Sequence, residues 1–112
     1  MIDISIIEQL KEDVGPSLAM ELLSIFIVES QKTVTMLVSS QNNDDIEINA
    51  HSLKSSCLSY GAITLGATCK RIEQKAKANE FDEELTHLLE TAHSQSTVTF
   101  VQLQALVNSH IA

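Results

Sequence analysis

His51 and Lys54 stand three residues apart in the run "AHSLKSSCLSYGA", residues 50 to 62, and Glu73 follows in "CKRIEQKAK". A neutral imidazole is a nucleophile through the lone pair of Nε2, provided that an acceptor holds its Nδ1–H, and a carboxylate is such an acceptor. Ammonium groups beside it offset negative charge on whatever it attacks, or on what it becomes. A phosphoryl group fits both halves of that description. The plainer alternative is an ordinary surface histidine near a lysine, and spacing alone favours that alternative slightly.

Whether these side chains meet depends on helix phase. With Leu53 at the centre of a buried stripe and about 100° per residue, Ile46, Ala50, Leu53, Cys57 and Tyr60 share an arc of about 80°. His51 lands about 160° from Leu53, on the outside, with Ser55 beside it and Lys54 to one flank. Ile48 and Leu58 also fall on that outer face, about one turn before and two turns after the histidine, as an apolar rim suited to docking. On the next helix Ala62, Leu65, Cys69, Ile72 and Ala76 form the buried stripe, and Gly66, Lys70, Glu73 and Lys77 form a row beside it. An antiparallel hairpin turning at Gly61 sets His51 level with Glu73.

The rest of the chain reads as helix by period and punctuation. A first helix runs from Asp3, its cap, to Asp13 with Ile4, Ile7, Leu10 and Val14 on one face, and Gly15-Pro16 breaks it. A second spans 16–40 and turns Leu18, Leu22, Ile25, Phe26, Thr33 and Leu37 inward. A third begins at an Asn43 or Asp44 cap and ends near Gly61; a fourth covers 62–79 and a fifth 82–109. Weak helix formers in "SQSTVTF" predict a kink or frayed turn in the fifth. The architecture expected is all-α: one domain over 1–112, an antiparallel four-helix bundle with a short additional N-terminal helix.

Composition agrees. Three glycines and one proline are too few turns for a sandwich or barrel. Fifteen acids against seven bases, net charge -8, argue against general nucleic-acid binding. Five of the seven bases lie between 54 and 77, which marks that zone as a docking site for something negative or as a solvated face. Cys57 and Cys69 form no CxxC pair and read as reduced, buried thiols. His87, His93 and His110 share no ligand spacing with one another or with His51, so no metal site is expected. The N-terminus lacks the basic region of a signal peptide, and no run suggests a membrane span; a cytoplasmic protein is expected.

The combined pattern resembles the signature of histidine-containing phosphotransfer (HPt) domains: a histidine, leucine at +2, lysine at +3, small residues at +4 and +5, and glycine at +10. Here these are His51, Leu53, Lys54, Ser55, Ser56 and Gly61, and the match continues through Cys69, Ile72, Glu73 at +22 and Lys77 over about 30 residues. The resemblance implies a phosphocarrier without kinase activity of its own, and a monomer is expected because both apolar faces of the hairpin are accounted for. Nε2 of His51 would take a phosphoryl group from the receiver domain of a hybrid sensor kinase and pass it to the receiver of a response regulator. It implies that Lys54 stabilises the phosphoryl oxygens and that Glu73 orients His51. Ile48, Ser55, Leu58, Lys70 and Lys77 are the candidate receiver-docking residues. No cofactor is implied, since Mg²⁺ belongs to the partner receiver. Ser55 departs from the glycine common at +4. The runs "HSLKSS" and "QKAKAN" are similar to a stand-alone quorum-sensing phosphorelay protein. The alternatives are a non-catalytic helical adaptor binding an acidic partner through the basic zone, and an acceptor phosphorylated directly by a kinase domain.

Overall fold

The computed structural model describes residues 2–111. Five helices are present and no strand occurs among the described residues: α1 (Ile4–Val14), α2 (Pro16–Ser39), α3 (Asn43–Ser59), α4 (Ile63–Lys77) and α5 (Glu83–Ile111). Together they form an elongated body of 44 × 21 × 19 Å.

Each boundary has a local cause. The Asp3 carboxylate accepts from the Ser5 N–H at the start of α1, and Pro16 opens α2 directly after Gly15. The cap of α3 is Asn42, one residue before the expected Asn43 or Asp44. Its backbone is extended and its side-chain oxygen accepts from the N–H groups of Asp44 and Asp45. Asn43 is thereby released to donate its amide to Asn79, at 2.5 Å, which ties the start of α3 to the end of α4. α4 stops at Lys77, before the expected 79, where Asn79 takes a positive φ of 57°.

α5 stays helical through "SQSTVTF", without the frayed turn that its weak helix formers suggest. The hydroxyls of Ser96 and Thr97 return to the His93 carbonyl, while Thr99 and Phe100 are buried. Tertiary burial outweighs the weak local propensity.

α3 and α4 make the most extensive helix pair, and α2 packs on α3 and α5, α4 on α5, and α1 on α2. The contacts of the four longer helices therefore close a ring. Direction follows from pairs of residues that meet. Early α3 meets late α4 through Asn43 and Asn79, whereas late α3 meets early α4 at Leu58 and Gly66. Met20 lies near Val107 and Val38 near Leu89, so α2 and α5 are also antiparallel.

The core is aliphatic, centred on Leu23, Leu37, Leu53, Leu65, Ile72 and Leu103, each fully buried. Burying one such side chain stabilises by about 1.5–3 kcal/mol. Phe26 stacks on Tyr60 at 4.8 Å and meets Phe100 edge-on. Cys57 and Cys69 are free and fully buried; burial pushes the Cys69 thiol up to about 12 and that of Cys57 higher still.

Two expected faces differ. In α2, Leu18 and Ile25 are exposed, and Ala19, Met20, Leu23, Ile27, Ser30 and Val34 join Phe26 and Leu37 inside. "LLSIFIV" is apolar all round, so its own period does not select a face. In α1, Ile7 is buried and Leu10 half-buried, but Ile4 and Val14 are exposed because this helix packs mainly on α2. By length and composition alone α2 is also apolar enough to cross a membrane, which the sequence reading did not anticipate. Part of it packs in the core through Leu23, Phe26 and Leu37.

The turn between α3 and α4 is pinned by α1. Gly61 has φ +78°, its carbonyl accepts from the Asp3 N–H at 2.8 Å, and a Cβ there would lie 2.7 Å from the Asp3 carbonyl oxygen. Only glycine satisfies both the left-handed backbone and that approach.

Candidate functional site

The site is built on the α3–α4 hairpin, whose helices approach closely at Gly66. A Cβ on Gly66 would sit 3.3 Å from Cβ of Cys57 and 3.4 Å from Cδ2 of Leu58. With the buried faces of α3 and α4 packed together, the outer edge of α3 and the flanking row of α4 share one surface.

On that surface Nδ1 of His51 lies 2.5 Å from Oε2 of Glu73. Nζ of Lys54 lies 2.6 Å from Oε1, the other oxygen of the same carboxylate, and Nζ of Lys77 lies 3.9 Å from Oε2. Glu73 is nearly buried, with 5% of its side chain exposed, while the His51 side chain is 61% exposed. One inward carboxylate thus holds one outward imidazole.

The protonation states follow. The hydrogen bond from Lys54 is the largest influence on Glu73, joined by that from His51 and by the charges of Lys54 and Lys77; together they outweigh burial and hold its carboxyl below the usual range. Glu73 is therefore an acceptor only at neutral pH, so the shared proton resides on Nδ1 of His51. In the neutral ring Nε2 then carries the lone pair, on an exposed side chain.

Of the remaining candidates, Ile48, Ser55, Leu58, Lys70 and Lys77 are all exposed, Ile48 at 63% and Leu58 at 51%. Gly66 and Glu73 are buried although they share a row with the exposed Lys70 and Lys77. Two features were missed from sequence. One is the bond from Lys54 to Glu73: helix phase puts Lys54 a turn nearer the hairpin, and the lysine stem is long enough to reach back. The other is the division of the basic zone. Arg71 and Lys75 face away from His51 and pair with Glu80, Asp82 and Glu84 near the start of α5. A 100° helical step separates neighbours in sequence, so a run of bases need not be one patch. No group of three or more potential metal ligands occurs among the described residues.

An all-helical fold with a carboxylate-held, exposed histidine on a hairpin defines a class of protein, and comparison with known proteins supplies its name. Residues 21–108 match the Hpt domain family, and the chain belongs to that family. It is 35% identical over 82 residues to the phosphorelay protein LuxU of Vibrio harveyi, spanning 70% of this chain and 71% of that one. The fold is shared with the histidine-containing phosphotransfer protein HptB of Pseudomonas aeruginosa PAO1, at a TM-score of 0.89 over 96% of this chain and 95% of that one, with 20% identity. Proteins of this family are phosphocarriers of phosphorelays.

Proposed function

We propose that this chain, read as an antiparallel four-helix bundle with a short N-terminal helix, is a phosphorelay intermediary that carries a phosphoryl group on Nε2 of His51. The observation that carries the assignment is the pairing of an exposed His51 with a nearly buried Glu73 through Nδ1. In the forward step the Nε2 lone pair attacks phosphorus of an aspartyl phosphate, the P–O bond to the aspartate breaks, and the carboxylate leaves. The return step reverses this on a second aspartate. The transition state is loose, so positioning and charge stabilisation do most of the work. Glu73 supplies the positioning. It also holds Lys54 beside the ring, from where the ammonium group reaches phosphoryl oxygens by a rotation of its stem.

The donor in this reading is the receiver domain of a hybrid sensor kinase and the acceptor that of a response regulator, in a cytoplasmic quorum-sensing relay. The similarity of "HSLKSS" and "QKAKAN" to the quorum-sensing relative supports that placement. The carrier acts as a monomer, has no autokinase activity and needs no metal of its own, with Mg²⁺ bound by each receiver.

The test is transfer from a phosphorylated receiver to the wild type and to His51→Gln. Acid-labile, base-stable label on the wild type alone is expected. No label on either protein, across several receivers, returns the reading to a helical adaptor. Label from an isolated kinase domain, and from no receiver, favours direct phosphorylation.

A further inference from the structure

The surface around His51 has two unlike halves. Between Glu47 and Glu73 the chain contains no aspartate or glutamate, and that stretch carries Lys54, Lys70 and Arg71; the rest holds four bases and all fifteen acids. Lys54 is committed to Glu73, and Arg71 to Glu84. Lys70 is exposed and, alone among the seven bases, makes no ion pair among the described residues. It occupies the Gly66 row of α4, one turn on the hairpin side of Glu73. Leu58 lies against Gly66 in the same half and is 51% exposed. In the other half Ile48 is just as open, but Asp44 and Asp45 are exposed within the preceding turn of α3.

From this asymmetry we infer that the phosphotransfer partner seats on the hairpin-turn half of the His51 face. Leu58 fills an apolar facet of that partner, and Lys70 pairs with an acidic side chain at its rim. The inference rests on the phosphocarrier reading and specifies its docking orientation. A donor that presents a phosphoryl group is itself negative where it makes contact. It is repelled by the Asp44–Asp45 end and attracted to the half where α3 and α4 carry no acid and Lys70 has no ion-pair partner; the nearest acid there, Asp3 at the Gly61 turn, is engaged in capping α1 through Ser5. The partner is thus an acidic protein surface with one apolar facet.

Transfer to the full chain from a purified receiver domain charged with acetyl phosphate tests this, with the receiver varied to saturation. Lys70→Gln should raise the receiver concentration for half-maximal rate about fivefold at low salt, leave the saturating rate unchanged, and flatten the salt dependence. Leu58→Ser should raise it about tenfold with little change in salt dependence. Lys32→Gln on α2, a charge-matched change away from the face, should match wild type. Wild-type salt dependence and affinity in Lys70→Gln would overturn the proposal while label on His51 still upheld the carrier reading. So would a larger loss from Ile48→Ser than from Leu58→Ser. Sedimentation showing a wild-type dimer that Leu58→Ser dissociates would assign the facet to a second copy, also overturning it. Absence of label on wild-type His51 from every receiver would overturn both.

Discussion

Glu73 and Lys75 lie two residues apart on α4, and each gathers three polar partners. Glu73 holds His51, Lys54 and Lys77 on the α3 side, whereas Lys75 holds Glu80, Asp82 and Glu84 on the side of α5. Both centres are shifted in the direction that favours their charged form. The Lys54 hydrogen bond leads in lowering Glu73, and the Asp82 hydrogen bond leads in raising Lys75 to about 12. The difference lies in what each centre leaves over. Around Lys75 every partner is a simple carboxylate and nothing is prepared for chemistry. Around Glu73 one partner has a second nitrogen, and binding the first selects the tautomer of the neutral ring that leaves the second with the lone pair. The same electrostatics makes a clasp in one place and a reactive group in the other.

His51→Gln breaks the comparison most completely, because it removes the nucleophile and should abolish labelling, while Lys75→Met should leave labelling within about twofold of wild type. A Lys75→Met protein that folds yet cannot be labelled would show that the second cluster is not merely a clasp. Next in size, Glu73→Ala should slow transfer by about 100-fold through loss of the Nδ1 acceptor. Glu73→Gln restores an acceptor oxygen and should recover part of that loss; equal defects in both would place the importance in the negative charge.

Gly61→Ala probes the frame that holds the hairpin. The left-handed backbone and the contact with Asp3 should cost about 2–3 kcal/mol of stability, read by urea denaturation. Its transfer rate should fall little while the protein remains folded.

The smallest expected effect is on pH dependence. Since the folded-state pKa of Glu73 lies below its ordinary value of 4.5, its stabilisation is complete above that value and is lost as pH falls through the depressed one. Denaturation midpoints of the wild type should therefore decline more steeply in acid than those of Glu73→Gln. Parallel curves would mean that the carboxylate is as well accommodated in the unfolded chain.

Much of this was legible beforehand because it depends on neighbours in sequence. Gly15-Pro16, Asp3 and Gly61 punctuate the helices through their own backbone chemistry. The stripe of Ile46, Ala50, Leu53 and Cys57 has an unambiguous period, so the outward direction of His51 follows from a 100° step. The twenty-two residues from His51 to Glu73, folded about a turn at Gly61, put the two at one level. Other features had no local signature. α2 is apolar on too many sides to declare its inner face, and only contact with α3 and α5 selected it. The hydroxyl-rich segment of α5 was a weak helix until burial of Thr99 and Phe100 stabilised it. The reach of Lys54 back to Glu73, and the parting of Arg71 and Lys75 from Lys70, depend on long side chains choosing among partners on different helices. Periodicity sets the direction in which a side chain leaves its helix; the surrounding helices decide which charges it meets.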